Sequence, residues 1–183
     1  MDTKAKISSL MENGNTKFLS RSILRECFKG MSVREIRDWM EKNGFDRHVM
    51  VELRSTEILI MTPKGIMMQV RTADQGKLGV FGGVLHEDEE PKRGAIREVQ
   101  EEAGIEIAKS DLKYVGYNEH EHTYSNGDRA FFHTFRYVLK FAGVPKINLN
   151  YEASKVEFIT TVKSNIIDHQ QDFVGEALSG EYD

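Results

Sequence analysis

Gly83-Val84-Leu85-His86-Glu87-Asp88-Glu89-Glu90-Pro91 leads into Lys92-Arg93-Gly94-Ala95-Ile96 and then Arg97-Glu98-Val99-Gln100-Glu101-Glu102-Ala103-Gly104-Ile105. Pro91 suits a first helical turn and Gly104 the position just past a last one, so the spacing predicts a helix between them. At about 100° per residue, Glu101 and Glu102 lie roughly 60° and 40° either side of Glu98. Gly94, one turn earlier, shares that face and leaves it open. Ile96, Val99 and Ala103 fall on the opposite side, spaced for a core. Like charges at these spacings each cost a helix roughly 0.2–0.5 kcal/mol. A divalent cation reverses that sign, because clustered carboxylate oxygens on a rigid element suit Mg²⁺ or Mn²⁺. A merely solvated acidic face explains the glutamates but not Gly83, Glu89, Arg97, Gly104 and the aliphatic positions 99 and 105. Together the matched positions arise by chance at roughly one in 10⁹ starts.

This run resembles the Nudix box, the signature of the Nudix hydrolases, and each fixed position of that signature is present. The resemblance, with flanking strands, extends from about residue 46 onward. It implies an α/β class, a Nudix-type α/β/α sandwich with a mixed sheet, in which a loop-helix-loop presents carboxylates to divalent metal. It also implies cleavage of a nucleoside diphosphate linked to another moiety, by water attack at phosphorus. Two departures lie in and before the box. Phe81-Gly82-Gly83 stands where the family usually has Pro-Gly-Gly, and His86 and Asp88 stand where it has Glu and Gly. They leave the box carboxylates intact and alter the rim of the binding pocket.

The rest of the chain bounds the setting. With 183 residues there is room for one ordinary domain and an appendage. No 18-residue apolar run or signal-like segment occurs, so a cytoplasmic enzyme without a membrane partner is expected. The single cysteine, Cys27, excludes an internal disulfide. A net charge of −4 argues against a broad nucleic-acid surface. Residues 1–45 read as a helical extension. Thr16 to Lys29 carries an apolar stripe that includes Cys27 as a core residue. Ser32 and Glu35 have capping-box spacing before Val33, Ile36, Trp39 and Met40. The second helix shows no basic face for a DNA groove. These helices are expected to pack on the Nudix domain, residues 46–183, or to form a homodimer contact.

Short strands are expected at 49–53, 58–61 and 66–70, the last after a turn at Thr62-Pro63-Lys64-Gly65. Two longer strands flank Ser125-Asn126-Gly127-Asp128, where Asn-Gly signals a two-residue hairpin turn. That register opposes His120 to His133 and puts His122, Tyr124 and His133 on one face, either as a core layer of hydrogen-bonded histidines or as a wall for a nucleotide. A strand at 156–159 and a helix from about Val162 to Leu178 complete the chain.

Phosphoanhydride hydrolysis needs neutralised oxygens, an in-line water and a proton acceptor. Glu98, Glu101 and Glu102 are the expected metal ligands, with Glu89 holding a further ion or its water. Arg97 projects about 100° from Glu98 and so should stay clear of the metals. Its planar fork suits holding a carboxylate, which the resemblance also implies. The water-activating base is Glu101, Glu102 or Glu152. Arg71, Gly82, Gly83, His122, Tyr124 and His133 are candidates for contact with a small-molecule nucleotide. Nucleotide sugars, ADP-ribose and nucleoside triphosphates all stay open as substrates. The competing readings are an RNA 5′-end pyrophosphohydrolase and a nucleotide-sensing module without catalysis.

Overall fold

The structure is a computed structural model that describes residues 2–12 and 18–182. It divides into two compact units, Met1–Leu53 with Glu119–His133, and Arg54–Asn118 with Thr134–Asp183.

The first unit holds α1 (Thr3–Glu12), β1 (Phe18–Leu19), α2 (Arg21–Cys27) and α3 (Val33–Lys42). The expected helix from Thr16 to Lys29 is shorter than its apolar stripe. Thr16 and Lys17 lie outside the described residues, and Phe18 and Leu19 pair in parallel with Met50 and Val51. The helix starts only at Arg21. Its backbone N–H donates to Glu52 Oε2 at 2.7 Å, and Ser20 Oγ caps Ile23. α3 begins with the expected capping box, Ser32 and Glu35 each accepting from the other's backbone N–H. The apolar stripes meet in one core of Ile7, Leu19, Phe28, Ile36, Met40, Val49, Val51, Ala130 and Phe132, with Cys27 packed at its margin. Arg37 is buried beside it and donates to the carbonyls of Arg47, Val49 and Arg129 at 2.6, 3.1 and 2.6 Å. Its Nε lies 3.4 Å from Asp128.

The hairpin in this unit departs from expectation by one residue. Tyr124 N donates to Asp128 O at 2.8 Å and Gly127 N to Tyr124 O at 2.9 Å. The loop is therefore three residues long, with Gly127 in the left-handed region at φ 87°. The Asp128 N–H is taken by Asn126 Oδ1 at 3.1 Å, so it does not close a two-residue turn onto Ser125. The slip reverses one strand's faces relative to the other. His133 meets Glu119 (Nδ1 to Oε1, 3.2 Å) and Glu52 (Nε2 to Oε1, 2.7 Å). His120 instead stacks on Phe132, and His122 meets Tyr124 edge-on. His122 and Tyr124 thus lie on one face and His133 on the other. The expected single wall of His120, His122, Tyr124 and His133 does not form.

The second unit is a mixed sheet between two helices. Three strands, β2 (Met50–Thr62), β5 (Leu112–Thr123) and β6 (Arg129–Lys140), contribute residues to both units. The other strands are β3 (Gly65–Arg71), β4 (Leu78–Gly79) and β7 (Ala153–Ile159). The strand order is β4-β3-β2-β6-β5, with β7 antiparallel to β3 and β1 alongside β2. The two short runs expected at 49–53 and 58–61 are one strand. Its residues alternate between layers. Ile58 and Ile60 pack under α4 (Pro91–Ala103) with Ala95, Val99 and Ala103, whereas Leu59 packs with Phe173, Val174 and Ala177 of α5 (Gln171–Leu178). The last helix was expected from residue 162, but α5 starts at Gln171 after a short 3-10 turn, Asp168–Gln170. Ile166 is drawn into a parallel bridge with Leu78, and Gln170 Oε1 accepts from Val80 N at 3.0 Å. These pairings take the backbone that a longer helix would need.

Candidate active site

α4 is the helix that Pro91 and Gly104 bound in the sequence. Glu90 caps its N-terminus by accepting from Lys92 N, Pro91 follows, and Gly104 closes it at φ 66°. Ala95, Val99 and Ala103 go into the core, which leaves Glu98, Glu101 and Glu102 on the opposite flank. Glu98 and Glu102 are buried and Glu101 is exposed.

The strand-to-helix loop is shaped around these carboxylates. Thr56 N donates to Gly83 O at 2.9 Å, pinning the loop to β2. A Cβ on Gly82 would lie 2.0 Å from Thr56 O, and one on Gly83 would lie 2.7 Å from a Glu98 oxygen. Gly94 does more than leave the acidic face open, since its Cβ would lie 2.1 Å from Leu85 and 3.1 Å from Glu89.

Glu102 is the most thoroughly held of the acids. Its Oε2 accepts from Gly82 N at 2.7 Å and from Gln69 Nε2 at 2.9 Å. Its Oε1 accepts from Arg71 Nη1 at 3.2 Å, and Arg71 Nη2 reaches Glu152 Oε2 at 3.4 Å. Burial pushes the Glu102 carboxyl up to about 7, opposed by the Gly82 hydrogen bond and by Arg71 and assisted by the charges of Glu152 and Glu98. Burial also raises Glu98, with Glu101 and Glu152 adding to the rise and Arg97 opposing it. Each of these shifts records carboxylates crowded in a poorly solvated place.

Arg97 holds carboxylates, as its planar fork suits, and its guanidinium reaches over the acidic face to do so. Its Nε and Nη2 grip Glu89 at 3.0 and 2.9 Å, and its Nη1 donates to Glu98 at 2.7 Å and Glu101 at 3.1 Å. The long side chain swings back over its own helix, so the angle at Cα does not decide where the guanidinium lies. Hydrogen bonds from Arg97 lead the forces that hold Glu89 down at about 2. Both Glu89 oxygens are engaged, Oε2 also by His86 N at 3.0 Å. In this arrangement Glu89 anchors Arg97 and the loop.

Among the described residues no three His, Cys, Asp or Glu side chains already converge as a coordination sphere. The donor set nonetheless fits a hard divalent cation. Glu98, Glu101, Glu102 and Glu152 offer only carboxylate oxygens, and Glu98 and Glu102 are raised by burial and, to a lesser degree, by the neighbouring carboxylates, a cost that a cation relieves.

A family model for the NUDIX domain matches residues 52–171. The chain belongs to the Nudix hydrolase family. A MutT-like protein of Streptomyces ambofaciens is 39% identical over 54 residues, covering 30% of this chain and 35% of that protein. The chain thus matches only about a third of the length of that curated relative. The MutT protein of Methanosarcina mazei Go1 superposes with a TM-score of 0.56 at 22% identity, over 72% of this chain and 96% of that one. A bifunctional NMN adenylyltransferase/ADP ribose pyrophosphatase from Francisella tularensis, complexed with AMP and a manganese ion, also gives 0.56 at 22%, over 81% of this chain and 46% of that one. The dihydroneopterin triphosphate pyrophosphohydrolase of E. coli gives 0.55 at 18%, over 68% and 92%. Likeness at these identities is one of fold.

Within this Nudix domain the structure brings together Glu98, Glu101, Glu102, Glu89, Arg97, Gly82, Gly83, Arg71 and Glu152. It does not bring His122, Tyr124 and His133 to a common face. Sequence reasoning missed Gln69, whose signal was a lone amide in the otherwise apolar run Ile66-Met67-Met68-Gln69-Val70.

Proposed function

We propose that the protein is a divalent-metal-dependent pyrophosphohydrolase acting on a small nucleotide in which a nucleoside diphosphate is linked to another moiety. The observation that carries this is the buried carboxylate pair Glu98 and Glu102 beside Glu101 and Glu152, at a glycine loop packed so closely on Thr56 and Glu98 that it has no room for side chains at 82 and 83. Glu98, Glu101 and Glu102 would hold Mg²⁺ or Mn²⁺, which when bound supplies charge neutralisation on the phosphate oxygens. The relative that holds AMP and a manganese ion supports this choice of ion and ligand.

The chain's own residues supply the rest. Gly82 and Gly83 let the loop close around the carboxylates, with the Gly82 N–H donated to Glu102 and the Gly83 carbonyl accepting from Thr56 N, and a nucleotide phosphate would bind beside that loop. Glu102, both of whose oxygens already accept hydrogen bonds, serves as a fixed ligand. Glu101 and Glu152 are less enclosed, and one of them takes the proton of the attacking water. Water oxygen bonds to phosphorus, the bridging P–O bond breaks, and the phosphate leaving group departs with the bridging oxygen. Arg71 offsets charge between Glu102 and Glu152 and offers its remaining donors to phosphate.

The test is a panel of nucleotide sugars, ADP-ribose and nucleoside triphosphates incubated with Mg²⁺ or Mn²⁺, with released monophosphate or pyrophosphate measured. Metal-dependent turnover of at least one compound, abolished by chelator, is expected. Undiminished turnover in excess chelator, or no turnover of the whole panel, would overturn the proposal.

A further inference from the structure

Gln69 lies on β3 with Gly79 and Val156 as its cross-strand partners, and it is fully buried. An amide in such a position violates the apolar pattern of its strand, and its Oε1 has no hydrogen-bond partner. A methionine would fill the same space without leaving a buried acceptor unsatisfied. What the amide does provide is its other end, the 2.9 Å hydrogen bond from Nε2 to Glu102 Oε2. The amide orientation is set by this contact, because the ionised carboxylate that would hold a cation only accepts and the reverse placement would oppose two oxygens.

We infer that Gln69 is a positioning residue that, together with the Gly82 N–H, saturates Glu102 Oε2 and so reserves Glu102 Oε1 for a divalent cation. The inference rests on the proposed role of Glu102 as a metal ligand. The two donors reach Oε2 from different elements, a core strand at 2.9 Å and the glycine loop at 2.7 Å. Together they fix the plane of the carboxylate as well as its place. Arg71, the other donor to Glu102, sits on Oε1 at a longer 3.2 Å and is shared with Glu152 and Asp74. It can therefore shift without releasing the carboxylate. Outer partners of this kind tune metal affinity through the ligand they orient.

The experiment measures Mn²⁺ binding to the full-length protein by electron paramagnetic resonance, without substrate, alongside kinetics and thermal melting. Gln69→Met is expected to melt close to wild type, bind Mn²⁺ about 10-fold or more weakly, and lower kcat with little change in nucleotide KM. In a Glu102→Gln background the same substitution should change Mn²⁺ affinity no further, because Gln69 acts only through Glu102. Gln69→Asn, which keeps the amide but falls short of Glu102, should reproduce the loss and serves if the Met variant folds poorly. Wild-type Mn²⁺ affinity in a folded Gln69 variant, or an equal further loss in the Glu102→Gln background, would overturn the inference. A wild-type protein that binds no Mn²⁺ and hydrolyses nothing in the panel would instead overturn the proposed function.

Discussion

A Cβ on Gly82 would lie 2.0 Å from the backbone oxygen of Thr56, and the residue sits at φ 135°. A Cβ on Gly83 would meet only the far end of the Glu98 side chain, at 2.7 Å. The two neighbours therefore predict different failures. Gly82→Ala should destabilise the fold by about 1–3 kcal/mol, since neither the dihedral nor the contact can relax cheaply. Gly83→Ala should leave the melting temperature near wild type while moving Glu98 and weakening Mn²⁺ binding. Thermal melts and metal titrations of both variants check this, and a Gly83→Ala protein with unchanged metal affinity would refute the assignment of Glu98. For the acids themselves, Glu101→Gln or Glu102→Gln should lower turnover on the order of 10²–10⁴-fold with the fold retained. Steady-state rates and circular dichroism of the two variants decide the matter.

At the scale of elements, the 3-10 turn that leads into α5 is tied to the sheet by a buried polar network. Glu57 on β2 accepts from Arg136 Nε at 2.9 Å and from Gln170 Nε2 at 3.0 Å, with His169 Nε2 at 3.1 Å. Arg136 also lies over the ring of Phe173, 4.7 Å from its centroid. Burial alone would raise Glu57, but hydrogen bonds and charge from His169 and Arg136 outweigh it, and the group is lowered. A lowered folded value stabilises the protein above the ordinary glutamate value of about 4.3, and that stability is lost as pH falls through the folded value. Wild type should therefore lose melting temperature below about pH 4.3, and Glu57→Gln should show a flatter slope there. The same variant should be less stable at neutral pH by on the order of 3 kcal/mol, as expected when one partner of a buried pair is removed. Identical acid slopes for the two proteins would show that Glu57 is not a linked group.

At the scale of the molecule, the helices of the first unit share one core with the hairpin. Ile7, Leu19, Phe28, Ile36 and Met40 cover Val49, Val51, Ala130 and Phe132. Deleting residues 1–45 strips that cover. The shortened chain is expected to melt lower by on the order of 10 °C, given roughly 1.5–3 kcal/mol for each large apolar side chain exposed. It should also self-associate through the bared face. Calorimetry and light scattering of the shortened and full chains test this, and equal melting with an unchanged mass would show that the cover is dispensable.

The sequence by itself determined the helix of the box, its two ends and its acidic flank. Those features rest on local periodicity and on residues such as Pro91 and Gly104, whose backbone preferences act wherever they stand. The capping box at Ser32 and Glu35 was legible for the same reason. Only the tertiary structure decided where long side chains end. Arg97 leaves its helix at one angle and finishes on Glu89, Glu98 and Glu101, because three carboxylates outweigh the direction of one Cα–Cβ bond. It also decided the hairpin register, where the Asn126 side chain captured the Asp128 N–H and sent His133 to Glu52 and Glu119, away from His122. Gln69 marks the same boundary. The sequence shows a polar residue in an apolar strand, and only the packing of β3 against the end of α4 shows that its amide reaches Glu102. Chain-local preferences specify the elements, and contacts between residues far apart in sequence specify what those elements hold.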